Sequence, residues 1–424
     1  MNTYSLSSLK NRYRDFFSIS EIETSDVLQL ALGALLLSLT VTFFFWAALF
    51  EPSAEAVVKN ANVCWPYFKN CGFLNVLWPA PYGYSQNAFY ALLFAVCMYA
   101  VYAMWRKDWV SVHAALLVCL LWKIFVVFIL SMNIGGNFDY YDIVFLAVVL
   151  FIPRKLFFLR LSYVVLYFLA ATIKFDDGWI LGTYFTTLLP GLAIFGNALA
   201  PLITNAVILL ETVGTWFLLS SRKMWQRAAL CAFVLFHLYS ALYVGLRYPL
   251  STIPMLLILF GPLNYAILPE FNRSSRAGWF LIGLLFALQS IAFLIPGDHK
   301  LTLEGNHYGL YMFEANHQCV SSATFFFKDG PSKDLREESK SARDRCDPYS
   351  VFFRLHEACR RFPIDIARIP WTFDHSVNGG PFYRIVDVTN ACALSYTPFS
   401  HNAWIKTYEE NPIIVGYPVK DLYY

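Results

Sequence analysis

The chain has 424 residues, of which 58% are hydrophobic and only 14% are charged, and its formal net charge is +3. Soluble globular chains carry about 25% charged residues, so this composition excludes an ordinary soluble enzyme, a disordered protein and a small disulfide scaffold. The weak net charge gives no indication of a nucleic-acid partner. The last 128 residues hold 30 of the 61 charged residues, which predicts a membrane part followed by a water-soluble tail.

Nine apolar segments are candidate membrane spans, because about 20 mostly apolar residues cross a hydrocarbon core of about 30 Å. They lie near residues 26–50, 86–105, 109–131, 139–153, 155–174, 200–220, 226–246, 250–268 and 277–296. The apolar stretch 183–199 is interrupted by Pro190, Gly191 and Gly196, which is typical of a re-entrant or interfacial segment. The sequence therefore predicts an all-α multi-pass bundle of about nine transmembrane helices over residues 26–296.

The basic residues of the short loops predict the orientation of this bundle. With the N-terminal segment 1–25 in the cytoplasm, that side receives twelve lysines and arginines and the opposite side receives four. Cytoplasmic loops carry such an excess. We therefore expect the tail, residues 297–424, on the periplasmic or lumenal side of a bacterial inner membrane or an ER-type membrane.

The tail is expected to form a small α+β or β-rich domain. Residues 381–399 show the alternation of apolar and polar side chains that is typical of strands. The polar stretch 328–347 indicates a solvated helix or loop. A domain of about 125 residues has an ordinary size.

The cysteines agree with this topology. Three of them, Cys97, Cys119 and Cys231, fall inside predicted spans, where a small buried thiol is common. The other six fall on the predicted outer side, where disulfides form: Cys64, Cys71, Cys319, Cys346, Cys359 and Cys392. Fifteen pairings are possible for six cysteines, and their spacing matches no zinc template, so no metal site is predicted.

Ionisable residues inside spans are costly, and they often mark functional sites. Glu211 lies in the middle of one predicted span and His237 in the middle of another. Glu211 could accept a proton or hold a buried base, or it could form a structural ion pair. His237 could act in chemistry or be a core histidine. For Lys123, in a third span, pairing with Glu211 or snorkelling is the favoured interpretation.

Lys174 ends an apolar helix just before Asp176, Asp177 and Trp179. One interpretation is an interfacial lysine beside an aromatic anchor. The other is a desolvated lysine that acts as a base near neutral pH. The residue pattern leaves both interpretations open.

Three motifs occur in an order that resembles the vitamin K-dependent γ-carboxylase-like, or HTTM, membrane family. The first is YFLAATIKFDDGWILG, residues 167–182, with an aromatic and small-residue helix, a lysine, a polar turn and a tryptophan. The second is the glutamate of Leu210-Glu211-Thr212 within the next long span. The third is HLYSALYVGLRYP, residues 237–249. The resemblance covers residues 110–250 well and the other spans by topology only.

The resemblance implies a quinone-dependent enzyme that modifies a peptide or a lipid. Lys174 would be the base that ionises reduced vitamin K or another membrane quinone. Glu211 and His237 would be further catalytic residues. The cofactor would contact Trp179, Tyr140, Tyr167 and Asn137.

Two features depart from the γ-carboxylases. Phe138 occupies the place of a histidine that is associated with carboxylation, and the tail is much shorter than their lumenal region. The resemblance therefore supports quinone oxidation better than carboxylation. Two other classes stay open. One is a non-catalytic membrane protein that binds a lipid or peptide through its tail. The other, less favoured, is a transporter with a site at broken helices.

Overall fold

The computed structural model describes residues 6–48, 63–68, 84–124, 137–262, 271–339, 341–342, 346–410, 414–417, 420 and 422–423. Its architecture is mainly helical, with a small antiparallel sheet. The chain divides into two compact units, each assembled from segments that are distant in sequence. Unit 1 comprises residues 1–62, 70–168 and 210–284, and unit 2 comprises residues 63–69, 169–209 and 285–424.

Unit 1 is a bundle of apolar helices. The helix Asp26–Ala48 packs against Arg247–Phe260, which also packs against Lys223–Val244. The described α-helices that begin in this unit are Leu6–Phe16, Ser20–Glu23, Asp26–Ala48, Tyr84–Trp105, Trp109–Ile124, Asn137–Phe151, Lys155–Thr172, Thr215–Phe217, Lys223–Val244, Arg247–Phe260 and Arg276–Leu294. Helices that are far apart in sequence thus pack against each other in this unit.

Four described helices are long and apolar enough to cross a membrane: Lys155–Thr172, Asn197–Phe217, Lys223–Val244 and Arg273–Leu294. The described apolar parts of four others are shorter: Asp26–Thr40, Ala91–Trp105, Trp109–Ile124 and Tyr248–Phe260. The prediction of nine spans is therefore not supported over the described residues. The apolar pattern predicts a span over 250–268, but the helix ends at Phe260, before Gly261 and Pro262. Proline stops a helix because it has no backbone N–H to donate.

The helix Lys155–Thr172 begins at a carboxylate from the N-terminal segment. The backbone N–H groups of Arg154 and Lys155 donate to the two carboxylate oxygens of Glu21, each at 2.8 Å. The first N–H groups of a helix have no partner inside the helix, and a negative charge there is favourable. Glu21 therefore stabilises the start of this helix from more than 130 residues away.

Unit 2 contains the tail domain and its antiparallel sheet. The strands are β1 (Leu188–Leu189), β2 (His317–Phe327), β3 (Lys333–Glu338), β4 (Ile366–Arg368), β5 (Trp371–Val377), β6 (Phe382–Val388), β7 (Ile414–Val415) and β8 (Leu422–Tyr423). The sheet has the order β3-β2-β5-β6-β7, with β4 also pairing with β2, while β1 and β8 form a separate parallel pair. The side chains of Trp371, Phe373 and Ile385 are buried in it.

The predicted strand structure of the tail is present. The prediction of a helix or loop throughout residues 328–347 is wrong, because this stretch contains β3, which pairs with β2. All six residues of β3 are exposed. Polar side chains on both faces conceal the alternation that marks a half-buried strand.

The stretch 183–199 is broken, as its glycines and proline predict. A short helix, Thr183–Thr186, leads into β1, and a 3-10 helix follows at Asn197–Leu199. Between them the backbone has positive φ angles at Gly191, Ile194 and Gly196, a conformation that glycine adopts at little cost.

The tail cysteines form two disulfides, Cys319–Cys346 and Cys359–Cys392. Cys64 is also disulfide-bonded, and Cys71 lies outside the described residues. Cys97, Cys119 and Cys231 are free. The expectation that all three free thiols are buried is wrong for Cys231, which is exposed.

The disulfide Cys359–Cys392 joins the helix Pro348–Arg361 to the end of the sheet region across 33 residues. We expect its replacement by two serines to lower the free energy of unfolding of the tail by about 2–4 kcal/mol, because the unfolded chain regains loop entropy. Thermal unfolding of the purified protein checks this, with Cys231→Ser as the control. A double variant as stable as that control would contradict the prediction.

Candidate functional site

Lys174 is a buried lysine at the end of the helix Lys155–Thr172. Its residue is only 2% exposed, and its ammonium lies 4.9 Å from the centre of the Trp179 ring. A cation over an indole face is attracted by the ring quadrupole, and the attraction grows when water is excluded. The two most conspicuous residues of the first motif are therefore in contact within unit 2.

Trp179 is held in place by its own hydrogen bond and by a neighbouring ring. Its indole Nε1 donates to the carbonyl oxygen of Phe313 at 2.7 Å. The indole also stacks on Tyr184, with ring centres 5.0 Å apart. The short helix Asp177–Ile180 that carries Trp179 is capped by Asp176, whose Oδ1 accepts the Gly178 N–H at 2.6 Å. The indole face therefore has a fixed position beside Lys174.

The tail supplies a second ammonium to this region. Lys300 forms an ion pair with Asp176, and Lys300 is buried. A buried ion pair is stable only with good geometry and further hydrogen bonds, and Asp176 also accepts the Gly178 N–H. Lys300 was missed by sequence reasoning, because a lysine just after the last apolar segment has the pattern of an ordinary interfacial residue.

A cluster of tail histidines and a glutamate lies close to this ion pair within unit 2. Burial lowers the pKa of His299, whose charged neighbours are Asp298, Lys300, Glu314 and Asp176. The Nε2 of His317 lies 3.8 Å from the carboxylate of Glu314. These groups, with Lys174 and Trp179, make the region a mixed site of amines, carboxylates, imidazoles and aromatic rings.

The neighbouring rings of His317 and His375 have defined tautomers. His375 Nδ1 lies 2.7 Å from the Leu301 carbonyl oxygen, so it must donate. In the neutral ring Nε2 is then an acceptor, and it lies 3.0 Å from His317 Nδ1, which must donate to it. A proton on His375 Nε2 would require His317 Nδ1 to give up its proton.

We expect the tail to lose stability in mild acid because of His375. Burial lowers the pKa of His375 from 6.5 to about 3, so between these values the unfolded chain binds the proton and the folded chain does not. The free energy of unfolding therefore falls as the pH drops from about 6.5 towards 3. Thermal unfolding measured from pH 7.5 to 4.5 checks this. His375→Gln should show a smaller pH dependence than the wild type, with His356→Gln as the control; equal slopes in all three would contradict it.

Gly178 permits the close approach of Asn378 to the loop beside Lys174. A Cβ added at Gly178 would lie 2.0 Å from Asn378 Nδ2 and 2.8 Å from Asp176 Oδ1. We expect Gly178→Ala to lower the free energy of unfolding by about 1–3 kcal/mol, as overpacking does. Gly283→Ala is the matched control, because its Cβ would meet nothing within 4 Å. Thermal unfolding of both variants checks this, and equal stability would show that Asn378 moves freely.

The other two motif residues lie in unit 1, and both are buried: Glu211 is 2% exposed and His237 is fully covered. Glu211 belongs to a π-helical segment, Leu210–Gly214, inside the helix Asn197–Phe217. Single π turns within α-helices occur frequently at functional sites. This distortion was not predicted, because the apolar pattern of the segment is that of a regular helix.

Tyrosines surround His237. The hydroxyl of Tyr167 hydrogen-bonds to His237 Nε2, and Tyr163 extends this chain at 3.4 Å from the Tyr167 hydroxyl. The ring of Tyr248 lies 4.9 Å from the His237 ring and within electrostatic range of Glu211. Tyr167 and His237, predicted from two different motifs, are thus brought together.

Tyr140 and Asn137 lie on the helix Asn137–Phe151 of unit 1, and both are half-buried. The next residue, Tyr141, lines a cavity of about 30 Å³ with Asp142, Tyr163, Tyr167 and Tyr248, among others. This volume holds about one water molecule, so it is far smaller than the usual ligand pocket of about 300–1,000 Å³.

The sequence suggested that Lys123 pairs with Glu211, but the partners of Lys123 are two aspartates. Its ammonium contacts Asp139 Oδ1 at 2.8 Å and Asp142 Oδ2 at 2.7 Å, and Ser38 donates to Asp142 at 3.0 Å. All three ionised side chains are buried. Lys123 therefore belongs to a structural ion cluster of unit 1.

Within the described part of the chain, no group of three or more His, Cys, Asp or Glu side chains could hold a metal ion. No family model, curated protein or solved structure matches this chain.

Proposed function

We propose that this protein is an integral membrane enzyme of the vitamin K-dependent γ-carboxylase-like type, which oxidises a reduced membrane quinone with Lys174 as the base. The observation that carries the proposal is the burial of the Lys174 amine beside the indole of Trp179. The membrane-length helices support the membrane assignment. The N-terminal segment lies in the cytoplasm and the disulfide-bonded tail on the periplasmic or lumenal side, in agreement with the loop charges.

The side chains around Lys174 suit a phenolic ring. Trp179, on which Tyr184 stacks, is an aromatic neighbour of Lys174, and the Lys174 amine can accept the proton of a hydroxyl. A reduced quinone supplies two electrons to an acceptor such as dioxygen. A water-excluded site strengthens every charge interaction, and Lys174 is buried. Asp176 is held by Lys300 and by the Gly178 N–H, and these bonds fix the loop around the base.

Glu211, His237 and Tyr167 form a separate group of candidate residues within unit 1. Their burial and the Tyr167–His237 hydrogen bond suit a role in holding or moving protons. The molecule that the enzyme modifies at the expense of quinone oxidation is a peptide or a lipid. Carboxylation is not proposed, because Phe138 stands where the γ-carboxylases have a histidine.

The second candidate is a non-catalytic membrane protein that binds a lipid or peptide through its tail. The small volume of the cavity among the unit 1 tyrosines, about 30 Å³, favours it, because a space that holds about one water molecule admits no quinone ring.

An activity measurement separates the two candidates. The purified protein in lipid nanodiscs receives a reduced menaquinone or vitamin K, and dioxygen uptake and quinone absorbance are followed together. We expect both rates to exceed those of empty nanodiscs. Rates equal to those of empty nanodiscs with every quinone would contradict the enzyme and leave the binding protein.

A further inference from the structure

We propose that the segment Phe271–Trp279 of unit 1 binds the phosphate headgroup of an anionic phospholipid. The inference rests on the membrane placement proposed above but not on any reaction. An open surface depression of about 600 Å³ lies at the start of the membrane-length helix Arg273–Leu294. Its lining comes from one short segment: Phe271, Asn272, Arg273, Ser275, Arg276 and Trp279.

The charge of the depression is positive. The side chains of Arg273 and Arg276 are exposed, and neither takes part in an ion pair among the described residues. The segment Phe271–Trp279 contains no acidic residue, although Glu270, which lies outside the described residues, precedes it. Basic residues next to a membrane helix attract anionic lipids.

The hydrogen-bonding groups left over in the depression are donors. The indole Nε1 of Trp279 is shielded from solvent and has no hydrogen-bond partner among the described residues. The hydroxyl of Ser275 already donates to the carbonyl of Asn272, whose side chain accepts the Ser275 N–H. Two guanidinium groups and an indole N–H therefore favour a negatively charged hydrogen-bond acceptor. A phosphate group meets this requirement, and the choline cation does not.

The aromatic pair places the depression at the level of headgroups. Phe271 is 82% exposed and stacks on Trp279 with ring centres 4.7 Å apart. Exposed aromatic rings at the end of an apolar helix are typical of the membrane interface. Trp279 is held from the other side by Phe158, at 5.6 Å between ring centres.

Binding of defined lipids to the purified full chain tests the proposal. Native mass spectrometry or a thermal shift is used to titrate phosphatidylglycerol, phosphatidylcholine and inorganic phosphate. Near an anionic surface each arginine contributes about fivefold to affinity, so Arg273→Gln with Arg276→Gln should weaken phosphatidylglycerol binding about 30-fold. Trp279→Phe should weaken it less, because it removes one donor and keeps the ring. Arg360→Gln with Arg361→Gln, two exposed arginines of the tail helix, is the matched control and should leave binding unchanged.

Each outcome decides the proposal. Preferential binding of phosphatidylglycerol that is lost in the Arg273 and Arg276 variant alone supports it. Equal binding of phosphatidylglycerol and phosphatidylcholine overturns it, and so does an equal loss in the control variant. If inorganic phosphate competes at the same concentration as the lipid, the ligand of the depression is a free anion, and the lipid proposal is overturned. Quinone oxidation is measured separately, so failure of the enzyme proposal does not affect this result.

Discussion

Replacing Lys174 by glutamine is expected to reduce quinone oxidation by about 10²–10⁴-fold, which is the usual contribution of a general base. Glutamine has a similar length and keeps a hydrogen-bond donor, but it cannot accept the proton of a hydroxyl. The variant also removes the cation from the face of Trp179. Because Trp179 keeps its hydrogen bond to Phe313 and its stacking on Tyr184, we expect the fold to survive.

Dioxygen uptake and quinone absorbance in nanodiscs measure this effect, after gel filtration has shown that the variant is folded. Lys155→Gln is the matched control, because Lys155 is also buried and begins the helix that ends two residues before Lys174. Loss of activity in both variants would indicate a general need for buried lysines. Wild-type activity in Lys174→Gln would remove Lys174 from the reaction.

Replacing Lys123 by alanine is expected to destabilise unit 1 by about 3–5 kcal/mol. Lys123 is the ammonium that contacts both Asp139 and Asp142, and all three side chains are nearly inaccessible, at 4%, 3% and 3%. Without the ammonium, the two buried carboxylates lose the positive charge that offsets their desolvation. Removing one partner of a buried ion pair costs about 3–5 kcal/mol. Thermal unfolding in detergent measures the effect.

Two further variants separate charge from packing. Lys107→Ala removes an exposed lysine and should leave stability unchanged. A triple variant, Lys123→Met with Asp139→Asn and Asp142→Asn, removes all three charges at once and should be more stable than Lys123→Ala, because no uncompensated charge remains. If the triple variant were the less stable of the two, packing and not charge would explain the loss.

The sequence predicts the local features of this fold well. The apolar run 155–174 becomes the helix Lys155–Thr172, and the glycines and proline of 183–199 break the chain. It also places Lys174 close to Trp179, since only four residues lie between them. These features depend on neighbouring residues and on the burial of apolar side chains, which a sequence pattern displays directly.

Long-range partners are not readable in the same way. The carboxylate of Glu21 caps a helix that begins at Lys155, Asp176 pairs with Lys300, and His317 meets His375. Each pair lies on distant segments, and the identity of one residue does not indicate the position of the other. The π segment around Glu211 likewise has no signal in the apolar pattern.

The measurement that tests the central claim most directly compares the wild type with Lys174→Arg in the same nanodiscs, with a reduced quinone and dioxygen. Guanidinium keeps the positive charge over Trp179 but stays protonated in proteins, so it cannot act as a base. If Lys174 accepts a proton, Lys174→Arg loses quinone oxidation as fully as Lys174→Gln does. Full activity in the arginine variant would show that only a positive charge is required, and the assignment of Lys174 as the base would be wrong.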